Sequence, residues 1–328
     1  MLAQIRSLRP CRSCHLLALI KRVLSLNQNG SVLGERINLS ISKALRYTQV
    51  FASIDVSRRP DKADLAIGPG GSPARTRVKT MKIVVGSGWW CDGYARDWTL
   101  GSIKTRSVAF FDLWHQQVLR CLRPNRIIIT DSASPLRPDL STYELVQWTT
   151  LDKNYGHSND IRLGLIHTKY CGFTRSVING AMYALCCDAD VYVYVEQDCL
   201  LHGENFLERA VGDSGADILL GAPPQNGRGL GPGGIAAPMV QQSLMVVRRD
   251  GLERFLIGLL SSTASDGEVP PEETMRTRLA PFDFLRVPYG RERPIDFDRS
   301  HFYAQHLTDG ELAQFISKFK ATDRVAAL

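Results

Sequence analysis

The sequence predicts an α/β protein with a mostly parallel sheet flanked by helices. From Met81 onward, short runs of apolar and β-branched residues alternate with segments whose apolar residues recur at helical spacing. Such alternation is typical of parallel sheets, because a crossover helix must carry the chain back between parallel strands. Polar residues directly follow several of the apolar runs, and in open parallel sheets these positions face the ligand.

The elements follow one another in regular order. We expect strands at residues 81–88, 126–130, 144–148, 190–195 and 243–247. We expect helices at residues 106–122, 176–187 and 251–260. Pro124 lies just beyond the first of these helices and marks its end.

Residues 1–80 form a different kind of sequence. They are basic and weakly periodic, and they end in a glycine- and proline-rich stretch at residues 68–73 that is typical of a linker. We therefore expect a basic leader that is either disordered or the product of a wrongly assigned start. A small helical subdomain is the alternative. The folded domain is expected to comprise residues 81–328.

The composition is that of a globular protein, with 44% apolar and 22% charged residues. The net charge of +7 favours a phosphate-bearing ligand, which is either a nucleotide diphosphate or a nucleic acid. The charge alone does not decide between them, and our interpretation is a nucleotide and no nucleic acid. No apolar run approaches the ~20 residues that span a bilayer, so we expect no transmembrane segment. Scattered cysteines within apolar runs favour a cytoplasmic protein.

An acidic pair, Glu196 and Asp198, closes the predicted strand at 190–195. Side chains two residues apart on an extended strand point to the same side. Carboxylate oxygens suit Mg²⁺ or Mn²⁺ held together with substrate phosphates. The pair therefore indicates a metal site, and a solvated turn is the structural alternative.

The order of motifs around the acidic pair resembles the GT-A glycosyltransferases, in particular their family 2-like branch. The loop Lys153-Asn154-Tyr155-Gly156 is followed by a helix with Arg175 and Asn179-Gly180, and then by the strand that ends in Glu196-Gln197-Asp198. The resemblance covers residues 81–260. It departs from the family in one place, because the motif is Glu-Gln-Asp and not Asp-x-Asp. We therefore expect Asp198 as the main metal contact and Glu196 as a supporting one.

The resemblance implies a metal-dependent transfer of a sugar from a nucleotide-diphosphate donor to a hydroxyl group of a glycan, lipid or small-molecule acceptor. A bound Mn²⁺ or Mg²⁺ is expected to neutralise the leaving diphosphate. Glu273, near the start of a predicted helix, matches the family's general base. His306 is expected as a further metal ligand. The expected donor-binding residues are Trp89, Asp131, Asn154, Arg175 and Arg293.

Two other functions remain open at this stage. A nucleotidyltransferase also combines a nucleotide-binding sheet with acidic metal ligands, but it needs a glycine-rich, basic phosphate loop after the first strand. Here that turn is rich in Trp and has no Lys or Arg before Arg96. A glycosyltransferase-like domain without activity could bind carbohydrate. The glycine-rich segment at residues 227–234 is expected to be either a lid over the site or a plain connecting loop.

Overall fold

The computed structural model describes residues 81–93, 101–223 and 240–319. The strands are β1 (Ile83–Trp89), β2 (Arg126–Asp131), β3 (Val146–Thr150), β4 (Val191–Val195), β5 (Cys199–His202), β6 (Ile218–Gly221), β7 (Gln241–Arg248), β8 (Asp283–Phe284), β9 (Tyr289–Gly290) and β10 (Phe302–Gln305). The helices are α1 (Val108–Leu122), α2 (Ser158–Arg162), α3 (Gly172–Cys186), α4 (Phe206–Val211), α5 (Leu252–Leu260), α6 (Pro271–Arg278) and α7 (Asp309–Phe319). The expected leader at 1–80 and the glycine-rich segment at 227–234 lie outside the described residues.

Seven strands form the main sheet in the order β3-β2-β1-β4-β7-β6-β8. The four strands β3, β2, β1 and β4 are parallel to one another, and β6 and β8 are also a parallel pair. Strand β7 runs antiparallel to both β4 and β6. Helices pack on both faces, so the predicted fold class, α/β with a mostly parallel sheet, is confirmed. The carboxyl ends of β1, β2, β3 and β4 consequently share one edge.

Alternating residues of the central strands fill two separate cores. Val85 and Val193 lie in the core between the sheet and α1. Val84 and Tyr192 lie in the core between the sheet and the helices α3 and α5. Because both faces are covered, the strands are apolar throughout, which explains why their sequence shows continuous runs and not alternation.

Two glycines allow α3 to approach the sheet closely. A Cβ atom on Gly86 or on Gly180 would collide with the ring of Tyr192, which is fully buried between them. The Tyr192 hydroxyl donates to the carbonyl of Val177 over 3.2 Å. The Asn-Gly pair on this helix, which contributed to the resemblance, therefore has a packing role at its glycine.

A second, three-stranded sheet has the order β5-β10-β9. Strand β10 runs antiparallel to β5, and Gln305 is the register partner of Cys199. This pairing brings the end of β10 next to the acidic pair, although more than a hundred residues separate them in sequence.

The sequence patterns located five strands of the main sheet, β1, β2, β3, β4 and β7, within a few residues, whereas β6 and β8 were not predicted. The predicted helix at 176–187 begins four residues earlier, at Gly172, and the predicted strand at 144–148 is shifted to 146–150. The second sheet was not predicted, because its strands are two to four residues long and carry little periodicity. Helix α7 was not predicted either. Within the described residues, no helix has both the length and the apolar character required to cross a membrane.

Candidate functional site

The acidic pair lies at the carboxyl edge of the main sheet, directly after β4. Three neighbouring elements fix its backbone. The Glu196 amide donates to the carbonyl of Ser243 in β7 over 2.9 Å, and the Trp114 ring nitrogen in α1 donates to the Glu196 carbonyl over 3.1 Å. The side chain of Gln197 bonds both backbone groups of Trp90 after β1. The carboxylates therefore project from a rigid support and not from a free turn.

Asp198 is fully buried, and protein groups hold both of its carboxylate oxygens. Gln305 Nε2 donates to Oδ1 over 2.9 Å, and Arg106 Nη2 lies 3.0 Å from Oδ2. His306 Nε2 is 3.8 Å from the same Oδ2. Burial raises the pKa of the Asp198 carboxyl, but the positive charge of Arg106 and the hydrogen bonds outweigh it, so the pKa is lowered overall. Asp198 is accordingly an ionised group with its charge already balanced.

Glu196 shares a hydrogen-bond donor with Asp198. Gln305 Nε2 donates to Glu196 Oε2 over 2.6 Å as well as to Asp198. Burial raises the pKa of Glu196 to about 7, and the negative charge of Asp198 adds to this, while Arg291 and Arg106 oppose it. The two carboxylates therefore differ in acidity despite their similar positions.

The orientation of the Gln305 amide follows from its partners. Arg291 Nε donates to Gln305 Oε1 over 2.9 Å, and a guanidinium can only donate. The oxygen of the amide must therefore face Arg291, and the nitrogen must face the acidic pair. The backbone of Arg291 is held by Gln241, whose Oε1 accepts from the Arg291 amide over 2.8 Å. Gly290, at φ +59°, leaves room for that side chain.

Arg106 is a site residue that the sequence interpretation missed. It ends a short 3₁₀ helix, Ile103–Arg106, whose N-cap Ser102 is tied to the start of α7 through Asp309. Besides the contact with Asp198, its Nε is buried and has no hydrogen-bond partner among the described residues. No motif marks an arginine at this position, so only the folded chain identifies it.

His306 and Arg293 form one structural unit at the turn after β10. His306 has a left-handed backbone, at φ +57°, and burial lowers the pKa of its imidazole to about 4. Arg293 Nη2 donates to the carbonyls of Gln305 and His306 over 2.7 and 3.0 Å, and its Nε pairs with Glu311 over 2.6 Å. Arg293 therefore holds this turn, and a contact of Arg293 with the donor diphosphate stays a prediction. Arg291 is the cation that the loop brings to the acidic pair.

Glu273, the predicted general base, already has a partner, and its role as a base stays a prediction. Glu273 lies on the exposed side of α6 and forms a two-point ion pair with Arg276, one turn along the helix. That pair lowers the pKa of Glu273, which makes it a weaker base. Burial raises the pKa of Glu196 and lowers that of His157, and the charge of the neighbouring Glu272 acts on both groups, favouring their protonated forms. Arg106 and Arg291 also act electrostatically on His157, so these charged groups lie near one another.

Trp89 and Asp131 belong to the core. Trp89 is 3% exposed, and its ring packs against Phe111 and Trp148 at centroid distances of 5.4 and 5.8 Å. It therefore offers no face to a nucleotide base, which corrects that prediction. Asp131 is fully buried, and its carboxylate is bonded by the Ser134 amide and the side chain of Arg137, both over 2.8 Å. It closes the end of β2, and a direct ligand contact would require these bonds to open.

Asn154 and Arg175 shape the loop after β3. Asn154 Oδ1 accepts from the amide of Gly156 over 2.8 Å. Arg175 donates to the Tyr170 carbonyl and the Thr168 hydroxyl over 3.0 and 2.8 Å, and its guanidinium lies 3.5 Å from the centre of the Tyr155 ring. A donor contact from either residue stays a prediction.

The residues around the acidic pair do not fit a bound divalent cation. Within the described part of the chain, no group of three His, Cys, Asp or Glu side chains is arranged to hold a metal. Asp198 contacts a guanidinium, and the Gln305 amide presents its nitrogen, which cannot ligate, to both carboxylates. The predicted ligands Asp198, Glu196 and His306 are thus brought together without forming a metal site. Dependence on Mn²⁺ or Mg²⁺ stays a prediction.

No family model matches the chain, and no curated protein is similar to it. Among solved structures, it is similar to the 4-diphosphocytidyl-2C-methyl-D-erythritol synthase of Anaerococcus prevotii, with 10% identity, a TM-score of 0.41 and coverage of 74% of this chain and 97% of that one. The galactosyltransferase LgtC matches with 10% identity, a TM-score of 0.40 and coverage of 76% and 96%. The bifunctional IspDF of Campylobacter jejuni matches with 8% identity and a TM-score of 0.38, and there the chain spans 50% of the relative's length. Similarity this low assigns no reaction to the chain.

Proposed function

We propose that this chain is a glycosyltransferase that transfers a sugar from a nucleotide-diphosphate donor to a hydroxyl group of an acceptor. The observation that carries the proposal is the charged cluster at the carboxyl edge of the parallel sheet. Two carboxylates, Glu196 and Asp198, and two guanidinium groups, Arg106 and Arg291, meet there. Ligands of open parallel sheets bind at this edge.

The chemistry of the cluster suits glycosyl transfer in two ways. The guanidinium groups match the oxygens of a diphosphate, which carries the negative charge as the donor bond breaks. The bond between the sugar and the diphosphate breaks, a bond between the sugar and the acceptor oxygen forms, and the hydroxyl proton must go to a base. Glu272 takes that role in our proposal, because it is half-buried at the start of α6 and its charge acts on both Glu196 and His157.

Nucleotidyl transfer is the second candidate function. It would use the same edge of the sheet and transfer a nucleotide to a sugar phosphate with release of pyrophosphate. Against it, the residues directly after β1, up to Gly93, include no Lys or Arg. Trp90 and Cys91 in that stretch are bonded to Gln197 and Ser134, so their amides do not form a phosphate loop.

The experiment that separates these functions is a product assay with two substrate sets. The purified chain is incubated with UDP-, GDP-, ADP- and dTDP-sugars and a mixed panel of acceptors, and release of nucleoside diphosphate is followed. In parallel it is incubated with nucleoside triphosphates and sugar 1-phosphates, and release of pyrophosphate is followed. The proposal expects product only in the first set. Pyrophosphate release would establish the second candidate, and binding of glycans with no product in either set would establish a carbohydrate-binding domain.

A further inference from the structure

A guanidinium group and an amide group of the chain itself contact the acidic pair. This distinguishes the pair from a cluster of carboxylates whose oxygens are free to bind a metal. Asp198 is bonded to Arg106 and Gln305, and Glu196 is bonded to Gln305. With Arg291 on the far side of Gln305, two carboxyl groups and two guanidinium groups occupy the cluster. A divalent cation on Asp198 would have to displace Arg106, because both groups compete for Oδ2.

The chain of hydrogen bonds through Gln305 makes this arrangement specific. Arg291 fixes the amide oxygen, so the amide nitrogen faces both carboxylates. Turning the amide to offer its oxygen to a metal would place its NH₂ group against the guanidinium of Arg291, donor against donor. Gln241 holds the backbone of Arg291 from the other side, so the whole series is supported by β7 and the second sheet.

The two arginines still have donors to offer. The Nε of Arg106 has no acceptor among the described residues. The hydrogen bonds of Arg291 within that part of the chain engage its backbone amide and Nε, and leave its terminal nitrogens to other partners. Both groups also act electrostatically on His157. A diphosphate that binds at this edge of the sheet would therefore contact two guanidinium groups that are already positioned.

We propose that Arg106 and Arg291, held in place by Asp198 and Gln305, supply the positive charge for the donor diphosphate, so that donor binding requires no divalent cation. This inference rests on the proposed function, since it concerns the same site and its donor. In it, Asp198 positions Arg106, and Gln305 positions Arg291.

The test is calorimetric titration of the full chain with UDP, GDP, ADP and dTDP, once with EDTA and once with added Mn²⁺. We expect at least one of these nucleotides to bind with affinities that differ by less than about threefold between the two conditions. We expect Arg291→Gln to lower that affinity by about 10- to 100-fold, as loss of a charged hydrogen-bond donor does. The matched control is Arg286→Gln, an exposed arginine paired with Asp283, which should bind like the wild type.

Arg106→Gln tests the second arginine and carries a risk of misfolding, since it leaves Asp198 unbalanced. The double variant Arg106→Gln, Asp198→Asn removes both charges together, and its thermal unfolding shows whether the fold persists. If it is folded, it should bind the nucleotide at least about tenfold more weakly with EDTA present. Binding that appears only with Mn²⁺ would overturn this inference and leave the proposed function standing. Failure of all four nucleotides to bind under both conditions would overturn the proposed function, and this inference with it.

Discussion

Arg291 Nε donates to Gln305 Oε1 over 2.9 Å, and this single contact determines what the acidic pair faces. Because the oxygen is engaged, the amide nitrogen donates to Glu196 and Asp198. An amide in this orientation donates hydrogen bonds to the carboxylates, and its nitrogen cannot ligate a metal. The contact therefore links the loop after β9 to the chemistry at the end of β4.

Replacing Gln305 by Glu should convert the cluster into a metal site. The carboxylate removes the shared donor and adds a third negative charge, so we expect the free energy of unfolding to fall by about 3–5 kcal/mol without metal. Added Mn²⁺ should restore part of this loss, since three carboxylates then face one point. Thermal unfolding with and without Mn²⁺ measures both effects. Gln305→Met is the control and should be destabilised without any response to Mn²⁺; a response in that variant or in the wild type would contradict this interpretation.

The ion pair of Arg106 and Asp198 should show strong energetic coupling. Asp198→Leu leaves a guanidinium without its counter-charge in a buried site, which costs about 3–5 kcal/mol. Arg106→Met in the same chain removes that guanidinium and should recover at least about 1.5 kcal/mol of the loss. Urea unfolding of the wild type, both single variants and the double variant measures the coupling. The exposed pair of Arg286 and Asp283 provides a control cycle with coupling near zero. Simple addition of the two single losses at Arg106 and Asp198 would disprove the coupling.

The two adjacent glutamates at the start of α6 should differ in their effect on turnover. Glu272→Gln should lower kcat by about 10²- to 10⁴-fold with little change in KM, because it removes the proposed base. Glu273→Gln should leave both parameters unchanged, since Glu273 pairs with Arg276 on the exposed side. Steady-state release of nucleoside diphosphate measures both. Equal losses in the two variants, or a loss only in Glu273→Gln, would refute the assignment.

His202 in β5 should make the stability of the fold depend on pH. Its ring lies against Phe319 and Phe302 at centroid distances of 3.8 and 5.1 Å, and Nδ1 is buried without a partner among the described residues. Burial, with nearby positive charges, lowers the pKa of His202 from 6.5 to about 4. The contribution to stability is therefore complete above pH 6.5 and is lost as the pH falls from 6.5 towards 4.

A shift of this size corresponds to roughly 3 kcal/mol, and because the ring is only half enclosed we expect about 1–2 kcal/mol. Chemical denaturation at pH 7.5 and pH 5 measures the loss. His202→Phe should remove the part of the pH dependence that comes from His202 and leave the part that comes from His306, whose pKa is also lowered to about 4, whereas the exposed His167→Gln should leave both parts unchanged. An unchanged pH profile in His202→Phe would exclude His202 as its source.

The sequence by itself determined the α/β sheet and the place of the acidic pair at its edge. These follow from local patterns: apolar runs of strand length, helical spacing, and a polar stretch after the strand at 191–195. The tertiary structure alone decided which groups surround that pair. Arg106 and Gln305 contact Asp198 although 92 and 107 residues separate them from it in sequence. Such long-range contacts cannot be predicted from the periodicity of apolar residues. Trp89 shows the converse, since it occupies the expected position in the chain but its ring is packed in the core. Glu273 also occupies the expected position, but its carboxylate is paired with Arg276. Local patterns set the elements, whereas the direction of a side chain depends on what the fold places opposite it.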